Sequence, residues 1–154
     1  MRRLTTVLSL AALVALPAAL SAQATDLAVT RQQIETDRQG IVAQNLPLTE
    51  TQATAFWPLY QQYRAAVKQI NDQRQALLFS PTAADTVTDK DITTFIASWT
   101  KLDQDYAKLK GDWAKKFEPV LGAKGTLRFY QIENRLDLIV QASMASSIPL
   151  VPVQ

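Results

Sequence analysis

The chain has no cysteine and no histidine among its 154 residues. Without histidine it lacks the side chain that most often serves as general base, and the commonest imidazole ligand for transition metals. Without cysteine it can run no thiol mechanism and form no disulfide. Glycine occurs only four times, and no glycine-rich loop is present that would cradle a phosphate. Ser98, Ser143, Ser146 and Ser147 stand in no nucleophile motif, so serine–lysine catalysis has no supporting pattern. These absences argue against an enzyme, and no cofactor is expected.

Net charge is also scarce. The formal charge of +2 is that of Arg2 and Arg3, and without these two the 16 basic residues become 14, against 14 acidic ones. Both arginines belong to an opening stretch, MRRLTTVLSLAALVALPAALSAQA, that has the three parts of a secretion signal. A basic start precedes an apolar run from Leu4 to Leu16, a break at Pro17, and a small-x-small site at Ala22-Gln23-Ala24. The run is short of the ~20 apolar residues that span a bilayer, so residues 1–24 read as a cleaved signal peptide for export to the periplasm. No cysteine stands at the cleavage point to carry a lipid, and no stable membrane span is expected after cleavage. A balanced, exported chain lacks the electrostatic footprint of nucleic-acid binding, and nucleic acid is not an expected partner.

What remains, residues 25–154, is one domain's length and is rich in helical periodicity. Between Leu48 and Ser80, apolar side chains at Ala53, Phe56, Tyr60, Tyr63, Val67, Ile70 and Leu77 step by three and four, interrupted only by Arg74. Such a stripe, roughly 45 Å long as a helix, needs partner helices to bury it. Leu48 and Thr49 start it: Thr49 and Gln52 have the spacing of a capping box, with Leu48 placed for a hydrophobic staple toward Ala53. Pro58 deletes the hydrogen bond to Thr54 and is expected to bend the helix. A thinner helix is expected before it, from Asp26 to Asn45, with Leu27, Ile34 and Ile41 seven residues apart and Val42 beside the last. After a loop over Ser80–Val87, Thr88 caps a third helix whose seam, Ile92, Phe95, Trp99, Leu102, Tyr106, Leu109 and Trp113, is the most regular in the chain. A break is expected at Phe117-Glu118-Pro119, then a fourth helix from Pro119 to Ala145 built on Phe129, Ile132, Leu136 and Ile139. The last residues, 146–154, carry two prolines and form an extended tail, with Ile148, Leu150 and Val151 available to pack on the domain or a second subunit. The fold class is all-α: about four long antiparallel helices, kinked at Pro58 and Pro119, in a helical hairpin or bundle. The thin first helix and apolar tail leave surface to cover, for which a homodimer is the commonest answer.

Two sets of residues stand out as candidate sites. Trp57 lies off the main seam, with Gln61, Arg64 and Lys68 following on the same face, and Lys101, Lys108 and Lys115 repeat every seven residues beside the third seam. Both sets read either as ordinary solvated flanks or as a surface for unfolded or acidic polypeptide, where apolar and cationic groups act together. The carboxylate pairs Asp103 with Asp105 and Glu133 with Asp137 are of a type that binds hard cations, though their composition reads as a solvated helix face.

The motif LTETQ, Leu48 to Gln52, at a helix start, on a small cysteine-free helical domain behind a signal peptide, resembles the LTxxQ-motif family of periplasmic proteins, the Spy/CpxP-like group. VTDKD, Val87 to Asp91, matches a second such motif in part, without its Leu and Gln. FWPLYQQYR (Phe56 to Arg64) and RFYQIENRLD (Arg128 to Asp137) are similar to stretches of exported proteobacterial proteins of this layout. The resemblance implies a hairpin-rich helical fold that dimerises into a curved cradle. It also implies ATP-independent binding of unfolded clients, or an accessory role in envelope stress. Metal-sensing relatives use histidine, cysteine or methionine, of which the mature chain has only Met144. The alternative reading is a non-enzymatic adaptor or inhibitor docking on one envelope protein.

Overall fold

In a computed structural model of the chain, residues 33–79, 87–145 and 148 are described. The expected signal peptide, the first part of the expected first helix with Leu27, most of the Ser80–Val87 loop, and the tail apart from Ile148 lie outside the described residues. The described residues are helical apart from short links and caps, with no strand among them: α1 covers residues 33–45, α2 Glu50–Leu78 and α3 Asp89–Ala145. None of these helices is long and apolar enough to cross a membrane.

The start of α2 is built as its sequence specifies. Thr49 is extended, at φ −69° and ψ 163°, and its hydroxyl accepts the Gln52 N–H at 3.2 Å. The Gln52 side-chain oxygen in turn accepts the Thr49 N–H at 3.1 Å, which completes a capping box. The other end of the same amide donates to the Val120 carbonyl at 3.3 Å, so the cap also ties α2 to α3. Leu48 packs half-buried against the core. α2 runs through Pro58 as one helix of 29 residues. At the start of α3, Thr88 donates its N–H and hydroxyl to the Asp91 carboxylate at 3.0 and 2.6 Å and accepts the Asp91 N–H at 3.3 Å.

α3 doubles back on itself. Tyr106 donates to Asp137 at 2.7 Å, and Tyr130 donates to the Lys110 carbonyl at 2.8 Å. Residues as far apart as 106 and 137 would be separated by about 46 Å in a straight helix. The reversal is at Gly122, whose φ of 71° and ψ of 167° are the one non-helical pair inside α3. This corrects the expected break at Phe117-Glu118-Pro119. Proline keeps a helical φ and costs one backbone hydrogen bond, whereas the conformation at residue 122 is one that essentially only glycine adopts. Gly125 helps from the far side: a Cβ there would come within 3.0 Å of the Leu121 Cβ, so its absence lets the returning chain pack close.

α3 thus has a first arm, residues 89–121, and a returning arm, residues 123–145. The core lies where α1, α2 and the two arms meet. Phe56, Tyr60, Tyr63 and Val67 of α2 face Trp113, Phe117 and Leu121 of the first arm and Phe129 and Leu136 of the second. Val42 of α1 and Leu46, just past its end, close it from the other side. The rings pack edge-on and tilted, with Phe117 and Phe129 at 4.7 Å between centroids and Phe56 within 5.6 Å of both.

Burial stops short of the ends of the expected seams. After Val67 in α2 and before Leu102 in α3 no residue is buried. Ile92 is exposed and Phe95 and Trp99 are half-buried, stacked on each other at 6.3 Å. Ile139, expected in the seam of the last helix, is exposed. The α2–α3 pair extends past the core, so its seam loses the second wall that the returning arm and α1 supply lower down.

Candidate functional site: an ion cluster at the head of an open cleft

Arg38 projects from the inner edge of α1, between Ile34 and Ile41, and is 3% exposed. It meets Glu133 and Asp137, which lie one helical turn apart on the returning arm of α3, at 2.9 and 3.0 Å. Arg64 of α2 reaches the same Glu133 oxygen at 3.0 Å and Glu35 of α1 at 3.0 Å, and Arg38 also meets Glu35 at 3.2 Å. Tyr60 donates to Glu133 at 3.4 Å and Tyr106 to Asp137. Five charges from three helices are thereby joined, with Glu133 only 1% exposed at the centre.

The electrostatics follow from that burial. Desolvation pushes the Glu133 carboxyl above the usual glutamate value, opposed by the two guanidiniums beside it. Burial works against the charge on Arg38, but Glu133, Asp137 and Glu35 outweigh it and hold the guanidinium's pKa above its ordinary value. The pKa values of the Tyr60, Tyr63 and Tyr106 hydroxyls are all raised, first by burial and then by the neighbouring carboxylates, so the phenols stay protonated. Tyr130 is pushed up to about 12 by burial and Glu133. The Tyr63 hydroxyl and the Arg38 Nε are buried with no hydrogen-bond partner among the described residues.

The cluster forms the head of a cleft of about 1100 Å³, open between α1, the second half of α2 and both arms of α3. Past the cluster its walls carry the ion pairs Lys68–Asp72 and Arg74–Asp103, both at 2.7 Å, and the apolar side chains Leu78, Trp99, Val140, Met144 and Ile148. Arg74, the break in the α2 seam, lies over the Tyr106 ring at 5.4 Å and stays at the cleft wall.

The structure separates the candidate residues of the sequence. Arg64 and Lys68 line the cleft. Trp57 instead packs edge-on against Phe56 and Tyr60, at 5.0 and 5.6 Å, as part of the core's margin. Lys101 and Lys108 are exposed on the first arm of α3 and pair one turn on with Asp105 and Asp112, while Lys115 lies 3.8 Å from Asp112. None of these three lysines lines the cleft. Leu48, Thr49 and Gln52 act in the cap described above. Glu133 and Asp137 are not a solvated face, which corrects their reading from composition: the residues flanking them on the arm, Phe129 and Leu136, are core, and that carries the carboxylates inward. Among the described residues no group of three or more acidic side chains is arranged to hold a metal ion. Arg38 escaped sequence reasoning, although a cation set between Ile34 and Ile41 on the apolar edge of a helix was the available signal.

In comparisons with known proteins, no family model, curated protein or solved structure matches this chain.

Proposed function

We propose that this is an exported, ATP-independent holdase or envelope-stress accessory protein of Spy/CpxP-like type, acting as a homodimer in the periplasm on unfolded or envelope proteins. The observation that carries the reading is the uncovered end of the α2–α3 pair. There Phe79, Ile92 and Ile96 are exposed, the last at 59%, beside the half-buried Phe95 and Trp99. Apolar side chains presented in register next to exposed lysines such as Lys101 suit transient contact with unfolded chain, which offers both apolar and acidic groups. The function needs no cofactor and no catalytic residue.

The test is aggregation of an unfolding client followed by light scattering. Near-stoichiometric protein is expected to suppress it, and the paired substitution Ile92→Asp with Ile96→Asp is expected to abolish suppression while leaving helical content unchanged. Absence of suppression at large excess overturns the reading. The second reading, an adaptor docking on one envelope partner, draws on the cleft, a concave site between helices. Affinity capture from envelope extracts that returns one dominant partner favours the adaptor, and a broad set of clients favours the holdase.

A further inference from the structure

Three helical segments wall the cleft along its length, and a fourth walls only its head. α2 runs on for about 21 Å from Arg64 to Leu78, and Trp99 of the first arm of α3 and Val140 and Met144 of the returning arm line the same space. α1 contributes Glu35, Thr36, Arg38 and Gln39 at the head, and Gln33 is its first described residue. The cleft is thus the fourth corner of a helix bundle, continuing the line of α1 toward the N-terminus. Two sets of contacts fix the register along that line. Arg128 donates to the Asn45 carbonyl at 2.6 Å and Arg38 meets Glu133 and Asp137, so α1 and the returning arm are antiparallel. Eleven residues back from Arg38 is Leu27, and eleven on from Glu133 is Met144. Leu27 and Arg31 also repeat, one heptad earlier, the Ile34 and Arg38 that α1 turns inward.

From this register we infer that the cleft is the seat of the chain's own residues 25–32, which continue α1 as a helix and lay Leu27 on Val140 and Met144. The length fits. Eight helical residues add about 12 Å and, at about 10–12 Å across, fill a volume on the order of 1000 Å³, against about 1100 Å³ of cleft. Leu27 is the one large aliphatic side chain that the added stripe brings to the wall, so the segment is held by a single apolar contact and is displaceable. It acts as an intramolecular competitor: a partner docking in the cleft does so by lifting residues 25–32 away. The inference thereby adds a regulatory step to the adaptor reading and is independent of the holdase reading, which uses the far end of the α2–α3 pair.

Because the chain has no cysteine, thiols can be introduced one or two at a time. In the chain from Thr25 to Gln154, Leu27→Cys is combined with Met144→Cys or, one turn nearer the head, with Val140→Cys. At least one of the two pairs is expected to close an intrachain disulfide under mild oxidation. Leu27→Cys with Leu127→Cys, a position 61% exposed near the reversal, is expected not to. Val140 and Met144 are half-buried and lie outside the core, so helical content is expected to hold in these variants. The second measurement is the rate at which Val140→Cys alone reacts with a soluble disulfide reagent. Adding Leu27→Asp is expected to raise that rate about tenfold; an acid in the first turn favours the helix itself, so the rise reports lost docking and not lost helix. A disulfide found only between chains would seat a second copy in the cleft. No disulfide in either pair, equal disulfide formation with Leu127→Cys, or a reaction rate unchanged by Leu27→Asp would leave the cleft to another occupant, such as residues 149–154. Each of these results overturns the inference.

Discussion

Arg38 and Glu133 depend on each other because each is withdrawn from water and each would be left in the interior by loss of the other. Among the described residues, replacing Arg38 with alanine leaves Glu133 with Arg64 and the Tyr60 hydroxyl, and Asp137 with only the Tyr106 hydroxyl as side-chain partner. The expected loss is about 3 kcal/mol in urea unfolding. A lysine in its place recovers only part, since one ammonium does not reproduce the fork that spans Glu133, Asp137 and Glu35. The loss has a pH signature. The Glu133 carboxyl already titrates above the ordinary glutamate value, so the folded chain holds that proton more tightly than the unfolded chain. Its contribution to stability is therefore greatest in acid and falls as pH rises through the raised value. Removing Arg38 raises it further, so the stability gap between Arg38→Ala and the parent is expected to narrow as pH falls from neutral into the glutamate range. A gap that is constant or widens would contradict this. That pairing was not legible in the sequence, because residues 38 and 133 are 95 positions apart and nothing local tells a buried carboxylate from a solvated one. Only the apolar neighbours of each hinted at it.

Among elements, local rules were read accurately where the energy is local. Thr49 and Gln52 announce a helix start through two bonds that span three residues, and the cap forms as written. The reversal in α3 was harder, since two different backbone breakers, Pro119 and Gly122, stand three residues apart. Proline is the louder signal but is compatible with helical dihedrals, whereas glycine alone reaches the conformation that turns the chain. The two kinds of glycine position give an internal control. Gly122→Ala places a Cβ where φ is 71° and is expected to cost about 1–3 kcal/mol. Gly111→Ala, exposed in mid-helix with nothing within 4 Å of the added atom, is expected to gain about 0.5–1 kcal/mol. Chemical denaturation of the two variants against the parent reads both signs. A mild effect at residue 122 would place the reversal elsewhere.

For the whole molecule, the all-α class followed from periodicity, and a three- and four-residue rhythm holds through α2 and α3. What the rhythm does not encode is how far along each helix a second wall is present. The seam of α3 keeps its period from Ile92 to Trp113, yet Leu102 is its first buried member. Periodicity reports that a face is apolar, and only the lengths and placement of the neighbouring helices decide whether it is covered. Stability should be uneven for the same reason. Native-state hydrogen exchange is expected to show strong amide protection in 56–67, 102–121 and 126–136, and protection weaker by orders of magnitude in 68–79 and 89–101. Uniform protection along α3 would mean that its far end is covered by something else, such as a second copy.

The Gln52 amide has a consequence for the order in which the chain closes. Glutamate and glutamine both complete a capping box, since only a side-chain oxygen is needed. Gln52 also gives an N–H to the Val120 carbonyl, 68 residues on and two before the reversal at Gly122. One side chain therefore records two events on different length scales, the nucleation of α2 and the arrival of the bend in α3 against it. The first can form in an isolated segment, and the second only after most of the domain has folded. A glutamate at this position would keep the early step and lose the late one, so the amide acts as a latch set when the hairpin docks.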